Sequence, residues 1–239
     1  MLVRSSGITI PKTNSSLDCV KKDLTRTIYT WDGNRRVVKF FEEDRTNIIV
    51  PRFYPIEEKV NDISEEGEDI EIEDFITPRN ERQQKCIDYL LNNNSGILRL
   101  EPASGKTIIS IAAISRIKKR TIIFAHKADL LSQWKSEILK FTNLTENDIG
   151  KLTTNPKKYN DILNKKIILC TPHIISIALK RDNNGLIDSL SRAHIGICFI
   201  DECHVGVGPE EFSKSSLILN CKRTYGLSAT PIRSDGNDD

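Results

Sequence analysis

Apolar positions fall into two textures along this chain, and the change comes near residue 75. Before it, short stretches rich in β-branched and aromatic residues read as strands. Thr27–Trp31 and Val37–Phe41 flank the turn signal Asp32-Gly33-Asn34, and Ile48–Val50 is a further short strand stopped by Pro51. After it, apolar runs recur at Ile97–Leu100, Thr121–Ala125, Ile167–Cys170, Ile195–Ile200 and Thr224–Leu227. Stretches of helical spacing lie among them: Arg79–Asn92 (apolar at Cys86, Ile87, Leu90 and Leu91, then an Asn-Asn-Asn-Ser-Gly stop), Thr107–Ile117, Ala128–Phe141, His173–Lys180 and Pro209–Leu219. Strands that are apolar throughout and separated by helices predict a parallel sheet covered on both faces. The expected fold class is therefore α/β: a doubly wound parallel sheet over residues 75–239, preceded by a small β-rich module at 1–56. Such sheets bind ligands at the carboxyl ends of their strands.

Residues 57–74 belong to neither texture. They hold ten acidic residues and one lysine, which reads as a linker or a solvated edge. Locating that charge changes the meaning of the net +2: outside the segment 34 Lys and Arg stand against 23 Asp and Glu, or +11. A basic body suits phosphate-backbone contacts, although an ordinary solvated surface gives the same count. The six cysteines are scattered, with no C-x-x-C pair and no histidine at zinc-ligand spacing, which argues against structural zinc or a disulfide framework. No apolar run approaches the roughly 20 residues that span a bilayer, and the N-terminus has no signal-peptide pattern. The expected setting is the cytoplasm (or a host cell's cytoplasm or nucleus), with no membrane partner.

Two strand ends carry the chemistry. Leu98-Arg99-Leu100 runs into Glu101-Pro102-Ala103-Ser104-Gly105-Lys106-Thr107 and then an apolar helix. A strand, a tight loop and a helix opening on Gly-Lys-Thr form a phosphate-binding arrangement, in which backbone N–H groups face phosphates, Lys106 reaches the β/γ oxygens and Thr107 holds Mg²⁺. Leu100 stands where the full phosphate-loop pattern has its first glycine, so the match is to its second half. The run Ile195–Ile200 ends in Asp201-Glu202-Cys203-His204. An aspartate at a strand end can hold Mg²⁺, and the adjacent glutamate can orient an attacking water as general base.

Taken in order, these segments resemble the first motor domain of a superfamily 2 helicase. L-E-P-A-S-G-K-T is similar to motif I, D-E-C-H to motif II, and Ser228-Ala229-Thr230 in G-L-S-A-T-P to motif III. Phe124-Ala125-His126-Lys127 with Leu130, Gln133 and Trp134 resembles motif Ia, Thr171-Pro172-His173 resembles motif Ib, and Gln83 stands where the family's adenine-reading glutamine belongs. The nearest flavour is the UvsW/XPB-like branch, which includes phage helicases that remodel branched DNA. The resemblance implies a RecA-like fold, ATP and Mg²⁺ as cofactors, and duplex or branched DNA as partner. It implies a nucleotide site from Gln83, Pro102, Ala103, Ser104, Gly105, Lys106 and Thr107. Mg²⁺ would lie on Thr107 and Asp201, and Glu202 would activate water. His204, Ser228, Ala229 and Thr230 would couple the γ-phosphate to domain closure. Lys127, Gln133, Thr171 and Pro172 would line the nucleic-acid side.

Blander readings stand beside several of these. Gln83 could be a solvated helix residue, His126 and His173 read as loop residues, and Trp134 on an apolar helical face reads as core rather than as a base-stacking platform. Arg35, Arg36 and Lys39 beside Tyr29, Trp31 and Phe40 suit nucleic acid, and a half-buried hairpin gives the same pattern. Ala103 replaces a glycine common in the family, which is tolerable at negative φ and strained at positive φ. A complete motor of this family has a second, similar domain bearing the arginines that complete the ATP site. Asp239 comes just after motif III, so that domain is expected in the parent chain or in trans, and these 239 residues alone are expected to be weakly active or inactive. The rival readings are a non-catalytic DNA- or partner-binding half of a truncated or split helicase, and an RNA-directed helicase.

Overall fold

The computed structural model describes residues 2–29, 35–180, 184–203 and 219–229. Its larger part is a six-stranded sheet formed by β8 (Ser95–Arg99), β9 (Thr121–Phe124), β10 (Ile149–Lys151), β11 (Ile167–Cys170), β12 (Ile197–Asp201) and β13 (Arg223–Ser228). The strands run in the order β10-β11-β9-β12-β13-β8, and every neighbouring pair is parallel. Both faces are covered, as the uninterrupted apolar runs require. On one face Ile123, Leu169, Ile197, Phe199 and Leu227 pack against α2 (Glu81–Asn92), α3 (Lys106–Ile117) and α4 (Ala128–Phe141). On the other, Ile122, Phe124, Ile168, Cys170 and Cys198 meet α5 (Tyr159–Leu163), α6 (Pro172–Lys180) and α7 (Asn184–Ser191). Successive residues of one strand thus enter opposite cores, so neither face tolerates a polar alternation. This is the expected doubly wound, RecA-like sheet. Strand β10 and helices α5 and α7 were not expected, being short and bounded by polar residues. The expected helix Pro209–Leu219 lies outside the described residues except for its last residue, the buried Leu219.

The N-terminal part contains a mixed sheet of β1 (Leu2–Arg4), β2 (Gly7–Pro11), β5 (Glu42–Glu43), β6 (Asn47–Pro51) and β7 (Val60–Asp62), in the order β5-β6-β2-β1-β7. Helix α1 (Leu17–Asp23) adds Val20 to a small core with Leu2, Ile8, Ile10, Phe41, Ile48 and Val50. The hairpin is β3 (Thr25–Tyr29) with β4 (Arg35–Lys39), two residues earlier on each arm than the apolar pattern suggests, with Thr25 opposite Lys39. The turn itself, Asp32 to Asn34, lies outside the described residues. Among the described residues no helix is long and apolar enough to cross a membrane.

The acidic segment 57–74 keeps most of its carboxylates exposed, as a solvated edge does, but it is not a free linker. Its start forms β7, paired in parallel with β1. Beyond it the chain straps across the amino-terminal end of the large sheet. Backbone N–H groups of Glu65, Glu68 and Ile70 donate to the carbonyls of Asn220, His194 and Lys118, and that of Arg120 donates to Glu68. Ile70 and Ile72 alternate with carboxylates and point into the main core, an alternation that a charge count conceals. Glu68 pairs with Arg120 at 2.7 Å, Asp69 with Lys119 at 2.9 Å, and Glu66 with Arg223 at 3.2 Å. Part of the basic surplus outside the segment is therefore engaged within the molecule. The strap fits because two glycines meet: a Cβ on Gly196 would lie 2.1 Å from the Glu66 carbonyl oxygen, and one on Gly67 2.3 Å from the Gly196 Cα.

Candidate active site

Parallel register brings the candidate segments to one edge. Ser228 is opposite Arg99, Asp201 opposite Leu227, Ile200 opposite Phe124, and Phe124 opposite Cys170. The carboxyl ends of β8, β13, β12, β9 and β11 thus open together, and the backbone N–H of Leu100 donates to the Ser228 carbonyl at 3.0 Å.

The loop after β8 closes on itself, with the Ser104 hydroxyl and backbone N–H both donating to the Glu101 carbonyl (2.6 and 3.2 Å). Two residues have positive φ: Gly105 at 91°, the N-cap of α3, and Ala103 at 62°. Ala103 is thus the strained case. Gly105 is required twice over, since a Cβ there would lie 2.6 Å from Gln83 Nε2. Gln83 is buried and hydrogen-bonded at both ends of its amide. Its backbone N–H donates to the Asn80 side chain that caps α2, its Oε1 accepts from the Arg79 N–H, and its Nε2 donates to the Ser104 carbonyl at 3.0 Å. The solvated-helix reading of Gln83 is excluded: this side chain braces the loop. Pro102 and Ala103 are exposed, while Ser104, Gly105, Lys106 and Thr107 are half-buried.

Across the edge, Lys106 Nζ lies 3.2 Å from Glu202 Oε1, a bond between residues 96 apart in sequence. Glu202 has φ 49°, so this edge holds a second non-glycine in the left-handed region beside Ala103. Asp201 ends β12, and its Oδ2 accepts a 2.8 Å hydrogen bond from the indole N–H of Trp134. Burial pushes the Asp201 carboxyl above the usual carboxylate range. The indole donor and Lys106 oppose that shift, whereas the Glu202 charge adds to it. Burial also pushes the neighbouring Cys203 thiol up to about 11, so it is a protonated wall rather than a nucleophile. Ser228 is fully buried, Ala229 is half-buried, and His204 and Thr230 lie outside the described residues.

The residues of the expected nucleic-acid side sit on neighbouring strand ends. Lys127 caps α4 and is exposed, as is Gln133 one residue before the buried Trp134. Thr171 is half-buried. Pro172 is buried at the first position of α6, where a missing N–H costs nothing, so it shapes the turn rather than offering a surface. Arg35 is exposed on β4, and the Arg36 side chain lies outside the description. The sequence treated Trp134 as plain core. It is core, but its one polar atom reaches the motif II aspartate, a contact that no local pattern signals.

Oxygen donors at Asp201 and Thr107 suit a hard cation. Among the described residues no group of three or more His, Cys, Asp or Glu could enclose a metal. A single strand-end carboxylate with a hydroxyl is the donor set that Mg²⁺ takes when phosphates and waters complete its shell.

A parallel sheet with a Gly-Lys-Thr loop after one strand and an Asp-Glu pair after another two places away is a RecA-like arrangement, and with the relatives that follow it marks the first motor domain of a superfamily 2 helicase. A family model described as "Type III restriction enzyme, res subunit" matches residues 75–233, and the chain belongs to that family. It is 31% identical over 158 residues to the Encephalitozoon cuniculi "General transcription and DNA repair factor IIH helicase/translocase subunit XPB", covering 64% of this chain and 23% of that protein. To the Kineococcus radiotolerans "DNA 3'-5' helicase XPB" it is 27% identical over 156 residues, covering 65% of this chain and 27% of that one. The chain therefore spans about a quarter of the length of these relatives. Neither is from a phage, so the phage setting gains no support from them. The crystal structure of the UvsW helicase from bacteriophage T4 aligns with 99% of this chain and 94% of its own at a TM-score of 0.62 and 15% identity, a likeness of fold. That alignment takes in the N-terminal sheet as well as the motor domain.

Proposed function

We propose that this chain is the ATP-binding first half of a DNA helicase or translocase motor, and that it binds MgATP at the edge formed by β8, β12 and β13. The observation that carries the reading is the Lys106–Glu202 pair, which places a phosphate-loop lysine against a motif II carboxylate beside Asp201. Backbone N–H groups at the start of α3, with Lys106, would hold the phosphates. Asp201 and Thr107 would hold the Mg²⁺, which would supply charge neutralisation at the β and γ oxygens when bound. Lys106 exchanges Glu202 for phosphate oxygens, which leaves Glu202 to orient water as general base. Gln83, already holding the Ser104 carbonyl, links an adenine to the loop. Ser228, Ala229, Thr230 and His204 couple the site to a second motor domain, which brings the arginine the site needs, in the parent chain or in trans.

The substrate is DNA, duplex or branched. Support comes from the DNA helicases among the relatives and from the exposed Lys127 and Gln133 beside Thr171 at adjoining strand ends. Arg35 on the hairpin adds contacts to the backbone. The nucleotide reading is tested by titrating a fluorescent ATP analogue with and without Mg²⁺. Lys106→Ala should abolish binding by removing the charge on the phosphates. Equal affinity in the wild type and that variant would refute the assignment.

A further inference from the structure

The buried stripe of α4 consists of Leu131, Trp134 and Ile138, and only the tryptophan carries a polar atom. A phenylalanine would keep an aromatic ring in that core, though a smaller one, and would carry no polar atom. What the indole adds is one N–H, which it donates at 2.8 Å to Oδ2 of Asp201, 67 residues away. The ring is 2% exposed and packed among the apolar residues between α4 and the sheet, so the donor cannot swing aside. A carboxylate at a strand end can turn about its side-chain bonds, and a donor fixed by a locked ring removes that freedom. Strands β9 and β12 are neighbours, and α4 follows β9 directly, so the short covalent path from Phe124 through Lys127 to Trp134 returns across the sheet to Asp201.

We propose that Trp134 is a positioning residue of the metal site: its indole N–H sets the orientation in which Asp201 meets Mg²⁺. The proposal rests on the MgATP reading above. It also makes α4, which carries Lys127 at its N-cap and Gln133 on its exposed face, mechanically continuous with the metal carboxylate. Residues outside a metal's direct ligands are known to tune affinity in this way by fixing ligand geometry.

The test uses the 239-residue chain and a fluorescent ATP analogue titrated at a series of Mg²⁺ concentrations and in EDTA. Trp134→Phe keeps a buried aromatic ring and deletes the N–H. The Mg²⁺ concentration giving half-maximal nucleotide binding should rise about tenfold, the loss expected of one hydrogen bond to a charged group. Nucleotide binding in EDTA should change by less than about twofold, because no metal is present to be misplaced. An unchanged Mg²⁺ midpoint overturns the proposal, and so does an equal loss in EDTA and in Mg²⁺, which marks a merely structural role. Should Trp134→Phe fail to fold, a Trp31→Phe chain leaves Trp134 as the sole indole. Its emission should shift on Asp201→Asn and on adding Mg²⁺ with nucleotide, and no shift on either overturns the proposal. A wild-type chain that binds no nucleotide refutes the MgATP reading instead, while the emission response to Asp201→Asn still decides whether the indole reports on this carboxylate.

Discussion

Ala103 and Gly105 occupy the same loop, two residues apart, both at positive φ, and only one of them is built for it. Exchanging their side chains should therefore move stability in opposite directions. At φ 62° the Ala103 Cβ crowds its own backbone, a strain of about 1–2 kcal/mol for a non-glycine residue. Ala103→Gly relieves that strain but frees the unfolded chain, which costs about 0.4–1 kcal/mol. The methyl group is exposed, so little burial is lost. The net expectation is a gain of about 0.5–1 kcal/mol, or roughly 1–4 °C in Tm for a chain of this size. Gly105→Ala adds the strain and also drives a methyl to 2.6 Å from Gln83 Nε2, breaking the amide's hold on Ser104. It should cost about 2 kcal/mol or more. Urea unfolding of both variants with unchanged slope, together with thermal melts, measures the pair. If Ala103→Gly lowers both midpoints, the positive φ is not a source of strain and the reasoning fails.

Three other outcomes are expected. Gly196→Ala should destabilise the chain by about 1–3 kcal/mol, as overpacking does, because its Cβ would meet the Glu66 carbonyl at 2.1 Å; an unchanged urea midpoint would show that the strap is not held there. Asp44 is held down to about 2 from 3.8 by the backbone N–H groups of Thr46 and then Asn47. A carboxyl lowered in the folded state contributes stability above its unfolded pKa and loses it as pH falls through the folded one, so stability should decline from about pH 4 toward 2. Asp44→Asn should flatten that part of the profile, and an identical profile would exclude this carboxyl. Finally, fluorescence anisotropy with duplex, forked and single-stranded DNA and with RNA at two salt concentrations should show tightest binding to the first two and a steep fall with salt. Lys127→Ala and Arg35→Ala should each weaken duplex binding and reduce the salt slope by about one phosphate contact, and a preference for RNA would overturn the substrate class. Removing residues 1–56 is a poor alternative, because β7 would lose its partner β1.

How much was legible follows from how local each feature is. The five strand runs, the helices at 81–92, 106–117 and 128–141, and the Gly-Lys-Thr loop were readable because a two-faced core demands unbroken apolar runs and a phosphate loop is one strand, one turn and one helix. The N-terminal sheet was half missed. Ile8 and Ile10 alternate between Ser6-Gly7 and Pro11, boundaries that announce a short strand, yet this strand is missing from the expected elements. The strap was misread because composition weighs ten acidic residues above two isoleucines, whereas folding weighs where Ile70 and Ile72 point.

By itself the sequence determined which groups are present at the strand ends and that the sheet is parallel and covered on both sides. Only the tertiary structure decided which of those groups meet. Strand β13 lies between β8 and β12, so Lys106 must reach past it to find Glu202, and helix α4 must fold back over the sheet before Trp134 finds Asp201. The backbone angle at Ala103 was likewise undecided until the loop closed, since Ser104 and Gln83 pull it shut from residues on either side. Strand order and loop closure are set by packing the whole domain at once, and no window of neighbouring residues carries that sum.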